Sequence, residues 1–265
     1  MFAINHAATA LVIKKKYPQA PMVLLLISVQ LMELAWIVLN YLGIEYSTTE
    51  ATVSSVLDVH LAHMPYSHSV ISTVVVASIA WLVLHNGFKR PKIAIATAVA
   101  IFSHIILDLL THSQDIAIMP MAELKKLGLG LYSVPMAAFA VETIYGVICW
   151  RIYKGSYLLL AVILAFNLAN FSFFSTAIIG PESLLANQPL ILTSVVFVQI
   201  IITLLLVGWL SRKNTASAFP FITAPVSTEI SRRQKHICKR NHLNIVSLFC
   251  KCLANVQQKR ILHMK

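Results

Sequence analysis

The stretch KIAIATAVAIFSHIILDLLTH, residues 92–112, decides the fold class. Its 21 residues are apolar apart from a few polar positions, and at 1.5 Å per residue they extend about 31 Å, the thickness of a bilayer's hydrocarbon core. Five further apolar runs lie on either side, at about 20–44, 69–86, 131–153, 156–180 and 187–210. The pattern predicts an all-α, polytopic transmembrane bundle of about six spans. Phe2–Ile13 is also apolar, but about twelve residues are too few to cross. It reads as a short N-terminal helix that is re-entrant, interfacial or packed in the bundle. It does not read as a signal peptide, because Lys14, Lys15 and Lys16 follow the apolar stretch instead of preceding it.

Composition agrees. The chain has 265 residues, 58% hydrophobic and 12% charged, with a mean hydropathy of +0.76. Ordinary soluble domains are about 45–50% apolar and about 25% charged, so a disordered chain and a typical cytosolic enzyme are both excluded. The net charge of +11 is unevenly placed: residues 1–210 carry ten Lys or Arg against nine Asp or Glu, and 211–265 carry eleven against one. This divides the chain into a membrane domain, 1–212, and a basic tail, 213–265. The tail lacks helical or strand periodicity and reads as a poorly ordered cytoplasmic extension drawn to anionic membrane lipid. No nucleic acid partner is expected, since no recognition motif accompanies the charge. Cys238, Cys250 and Cys252, with His236 and His242 nearby, match no common zinc-finger spacing.

Basic residues set the orientation. Lys14–Lys16, Lys89 with Arg90 and Lys92, Arg151 with Lys154, and Arg212 with Lys213 all fall on one face of the predicted topology. The positive-inside rule makes that face cytoplasmic and places both termini there.

Ionisable groups within spans are costly and need a partner or a purpose. His104, Asp108 and His112 are spaced i, i+4, i+8 and turn by only about 40° per step, so they project from one helix face as a row of metal ligands. The loop entering the span at about 69–86 supplies His63-Met64-Pro65-Tyr66-Ser67-His68-Ser69. Pro65 disfavours helix just before it and Ser67 or Ser69 can cap, which puts His68 in the first turn and His63 on the approach. Counting rise per residue sets Glu33, His104 and Glu142 at similar depth, within roughly 16–20 Å of a span end. Imidazole and carboxylate together suit a divalent ion, zinc foremost, with manganese or iron also served.

These motifs resemble a family of bacterial integral membrane proteins described as predicted membrane-bound metal-dependent hydrolases, including LexA-regulated members. The resemblance rests on His6-Ala7-Ala8, Pro65-Tyr66-Ser67-His68-Ser69, and Ser103-His104 followed by Asp108 and Thr111-His112. It continues through Asp115 to Pro120 and Gly128-Leu129-Gly130-Leu131-Tyr132. It covers about residues 4–155, more loosely to 212, and implies a bacterial inner-membrane location. Through a distant similarity to zinc-dependent phospholipase C it implies an α-helical metal site and phosphoester hydrolysis. The ligands it implies are His6, His63, His68, His104, Asp108 and His112; Glu33 stands where family members often have Asp. His6 conflicts with the charge rule, which sets it toward the cytoplasm. Either Phe2–Ile13 enters the bundle as a half-helix, or His6 is no ligand, or the first segment is inverted.

The residues thus support two functions. One is hydrolysis of a phosphoester or other lipid-like, amphiphilic substrate by metal-activated water, with Asp108, Glu33 or Glu142 accepting the proton. The other is transport or handling of a metal ion by the same side chains.

Overall fold

A computed structural model describes residues 1–217 except 121–125, 176 and 179, and leaves the side chains of 61 and 213–217 undescribed. Met1–Thr215 form one compact unit. The expectations for the basic tail, including its cysteines and histidines, lie outside the described residues.

The chain is mostly helical. α1 (Ala3–Lys16) is followed by α2 (Met22–Val29) and α3 (Leu31–Tyr41), and a hairpin of β1 (Tyr46–Thr49) and β2 (Val59–His63) leads to α4 (Val70–Leu82). Then come α5 (Pro91–Thr111), α6 (Pro135–Tyr153), α7 (Tyr157–Ala169) and α8 (Pro189–Ser217). Helix starts follow local chemistry. Pro91 and Pro135 open α5 and α6, where a missing N–H is harmless. Ser69 and Ser156 cap α4 and α7 by accepting from the amides of Ser72 and Leu159.

Among the described residues, four helices are long and apolar enough to span: Val70–Gly87, Pro91–Thr111, Pro135–Tyr153 and Pro189–Arg212. The pair α2 and α3, bent by 52°, makes a fifth if counted as one span. The run expected at 156–180 carries the α-helix Tyr157–Ala169, shorter than a span by itself, and a 3-10 turn at Phe171–Phe174, so four to five of the expected six spans are seen among the described residues. Outward faces are apolar and insides partly polar. On α4, Val75 and Ile79 are exposed while Thr73 and Ala77 are buried, a reversal that suits a hydrocarbon surround and not water.

α1 is no surface appendage. It packs against α2, α5, α6 and α7, and Ile4, Ala7, Ala8, Ala10 and Leu11 are buried. This is the half-helix arrangement: its Lys14–Lys16 end lies with the C-terminal ends of α6 and α8 around a core of Ile13, Leu25, Leu159 and Leu210, and its start reaches the bundle's interior. Gly146 allows α6 to approach, because a Cβ there would lie 2.8 Å from Ile163 and 3.0 Å from Asn5.

The small hairpin departs from an all-α fold. It pairs Tyr46 with His63 and Thr49 with Val59, and it carries the chain across the end of the bundle opposite Lys14–Lys16.

Candidate metal centre

Four elements converge on one buried point. α5 contributes His104 and Asp108, one turn apart; α1 contributes His6; α3 contributes Glu33; and the turn before α4 contributes His68. His104 Nε2 lies 2.9 Å from Asp108 Oδ2 and 3.6 Å from Glu33 Oε2. His68 Nε2 lies 3.4 Å from Glu33 Oε2 and 4.0 Å from Asp108 Oδ2. His6 Nε2 is 3.3 Å from Asp108 Oδ1, and its ring stacks on that of His104 at 4.4 Å. The Met1 amino nitrogen donates to the same Oδ1 at 2.9 Å and to Thr111 Oγ1 at 3.0 Å. All but Glu33 are buried, and Glu33 is 21% exposed.

Hydrogen bonding behind the rings decides which nitrogens face inward. His104 Nδ1 is 3.2 Å from the Val29 carbonyl; a carbonyl only accepts, so Nδ1 carries a proton, and in the neutral imidazole Nε2 presents its lone pair. That carbonyl is available because the helix breaks at Gln30, whose backbone (φ −105°, ψ 2°) ends α2 and starts α3. The bend has no proline and falls where the imidazole of another helix meets the ladder. At His68 the arrangement is a relay. Ser67 Oγ donates to Glu45 Oε2 at 2.5 Å and therefore accepts from His68 Nδ1–H at 2.9 Å. Glu45 is fully buried and also accepts from the Tyr66 and Ser67 amides at 2.7 and 2.9 Å. His68 Nε2 is thereby turned toward Glu33 and Asp108, with its lone pair presented in the neutral imidazole.

With the imidazoles neutral, acceptors face acceptors. His104 Nε2 and Asp108 Oδ2 are buried, 2.9 Å apart, and make no hydrogen bond. Burying unpaired acceptors costs roughly 1–3 kcal/mol each unless something positive joins them. Ligands on one ion with bonds of about 2.0–2.3 Å lie roughly 3–4 Å apart, which is the range measured here. Two sets of side chains, His6 with His104 and Asp108 and Glu33 with His68 and His104, offer atoms within 4.8 Å of one another. Buried groups of His, Asp and Glu in this chain could thus hold a metal ion, and second-sphere partners of the kind seen at Nδ1 are what orient metal-binding histidines.

Other expected residues stand apart. His112 does not continue the row, because α5 ends at Thr111 and His112 is extended (φ −69°, ψ 152°). Its Nδ1 lies 3.6 Å from Asp115, and its ring is 6.1 Å from that of His68. Gly128 holds that end closed: a Cβ there would sit 1.8 Å from the Ser113 carbonyl oxygen, and the next amides, Leu129 and Gly130, donate to the carbonyls of Leu109 and His112 at 2.7 Å. His63 is exposed on β2 and stacks on Tyr46 at 5.5 Å; strand pairing turns it away from the cluster. Glu142 is buried but occupied. It accepts from Asn5 Nδ2 at 2.6 Å, Tyr132 OH at 3.0 Å and the Phe2 amide at 3.1 Å, tying α1 to α6.

Glu45, the Val29 carbonyl and Asn5 have no mark in the sequence, and Ser67 and Tyr132 stand there only as a helix cap and as part of a resembling segment. Glu45 reads as an ordinary loop acid, and only Ser67, adjacent to His68, carried a local signal. A cavity of about 180 Å³ adjoins the cluster, bordered by Glu33, His6 and His112 on one side and by α8 on the other. Compared with protein-family models, curated proteins and solved structures, the chain gives no match.

Proposed function

We propose that this chain is an integral membrane metal-dependent hydrolase of a bacterial inner membrane, acting on a phosphoester or other lipid-like substrate, with the Lys14–Lys16 end of α1 and the basic tail cytoplasmic and the site, together with the buried Met1 amino group, toward the outer face. The observation that carries the reading is the pair of bare imidazole nitrogens, from His68 and His104, aimed with Asp108 and Glu33 at one point beside a cavity. His68, His104 and Asp108 would hold the ion, zinc before manganese or iron, with His6 completing the set. A divalent ion bound there supplies a water of lowered pKa and polarises a phosphoryl or carbonyl oxygen. Glu33 is the proton acceptor in this reading, since it alone among the clustered carboxylates borders the cavity and is part-exposed. Asp108 stays a ligand. Glu142, held by three donors, positions α1 and is not a base.

Transport would use the same side chains but requires a path to the opposite face. Beyond Asn5 the interior is filled by Ala7, Leu11, Leu25 and Leu159, which weighs against it. Metal content of the purified chain, beside Asp108→Ala, tests the site; metal-dependent release of product from a panel of lipid esters and phosphoesters tests the reaction. Bound metal without turnover, together with ion flux in proteoliposomes, would favour transport.

A further inference from the structure

The cavity beside the cluster has a distinctive chemistry. One wall is α8, through Leu192, Val195 and Val196, and another is the loop bearing Val56 and Val59. Val195 is 49% exposed on the outer flank of its helix, and the nearby loops bear Leu57 at 40% and Leu184 at 74%, so the mouth is apolar where lipid would approach. No Lys or Arg borders the cavity among the described residues, and its one cationic group, the Met1 amino nitrogen, is already paired with Asp108. Deeper in, Gln30 is fully buried: its Nε2 donates to the Ala3 carbonyl at 2.7 Å, which fixes the amide and leaves Oε1 without a partner. Gln30 borders the cavity one helical turn from Glu33. An orphaned acceptor at that place calls for a donor from the ligand.

Resting on the hydrolase reading, we propose that the cavity takes one alkyl chain of a lipid whose head bears a hydroxyl or amide N–H next to the reacting ester, the donor meeting Gln30 Oε1, and that it discriminates against diphosphates. The chain lies among Val56, Val59, Leu192 and Val196, and the head meets Glu33. Diphosphate heads carry several charges and are normally bound by Arg, Lys or clustered N–H donors in addition to a metal ion; apart from the ion of the hydrolase reading, the described border has none to spare.

The test uses the full chain in lipid nanodiscs, with thermal-shift titration by two non-ester probes, hexadecyl glycerol ether and hexadecyl diphosphate. The glycerol ether should raise the melting temperature saturably and the diphosphate should need at least about tenfold more ligand, the cost of one missing or mismatched polar contact. Gln30→Leu should weaken glycerol-ether binding about tenfold and so narrow that preference, and Val196→Trp should abolish binding of both while metal content stays at the wild-type level. Equal or tighter binding of the diphosphate, or normal binding to Val196→Trp, overturns the proposal. The two readings fail separately. Probe binding without metal-dependent hydrolysis sinks the hydrolase and leaves the cavity assignment, whereas metal-dependent hydrolysis undiminished by Val196→Trp sinks the cavity assignment alone.

Discussion

Two buried carboxylates near the start of α1, Asp108 and Glu142, differ in their surroundings. Glu142 meets three donors, from Phe2, Asn5 and Tyr132. Asp108 divides in two: Oδ1 accepts from the Met1 amino group at 2.9 Å, while Oδ2 faces His104 Nε2 at 2.9 Å and His68 Nε2 at 4.0 Å and makes no hydrogen bond. A carboxylate whose two oxygens both meet N–H and O–H groups is finished as structure; one with an oxygen turned to ring nitrogens and without a hydrogen bond has room for a further cation. Counting donors, more than counting acidic residues, separates a helix tie from a ligand.

The contrast is most exposed to failure at Asp108. Asp108→Ala and His104→Ala should weaken metal binding by more than about 100-fold, beyond the range usual for outer-sphere changes, measured by metal content after dialysis against a chelator. Retention of metal by either variant would break the comparison from one side. Glu142→Leu attacks the other side. It strands three buried donors at about 1–3 kcal/mol each, so thermal stability should fall sharply, and the milder Glu142→Gln should lose less while keeping wild-type metal stoichiometry. Metal loss from Glu142→Gln at unchanged stability would make Glu142 a ligand after all.

A finer effect is expected behind His68. Ser67→Ala removes the group that sets the His68 tautomer and should reduce metal affinity about 10- to 100-fold, with Ser67→Thr restoring it through its hydroxyl. His112→Ala and His63→Ala should leave affinity unchanged, since neither ring reaches the cluster. The smallest effect concerns the cavity's lip. Burial pushes the Asp58 carboxyl up, but this is outweighed by hydrogen bonds from the amides and hydroxyls of Ser54 and Ser55, which hold it below the usual carboxylate range. A depressed carboxyl adds order above its unfolded pKa, near about 3.9, and the order is lost as pH falls through the lower folded value. Amide exchange at residues 54–59 should therefore show extra protection at pH 6 that fades below about pH 4, and Asp58→Asn should abolish the difference.

Part of this was legible in the residues. Helical spacing is local, so one turn between His104 and Asp108 places both on one face of α5 whatever surrounds it, and run lengths near 20 residues announce a membrane protein. The same local logic failed at His112, because helix termination by the loop at Gly128 is imposed from outside the span. It failed at His63, because pairing with β1 set the direction of the side chain.

Composition and periodicity by themselves determined that this chain is an apolar helical protein with a row of ionisable groups inside it. Only tertiary structure decided that His6 enters through a half-helix, that the break at Gln30 frees a carbonyl for His104, that Glu45 stands behind His68, and that Glu142 is satisfied. The physical reason is that lone-pair direction and donor count depend on contacts between residues far apart in sequence. His104 and Val29 are separated by 75 positions, and Asn5 and Glu142 by 137; no periodicity within either segment encodes the meeting.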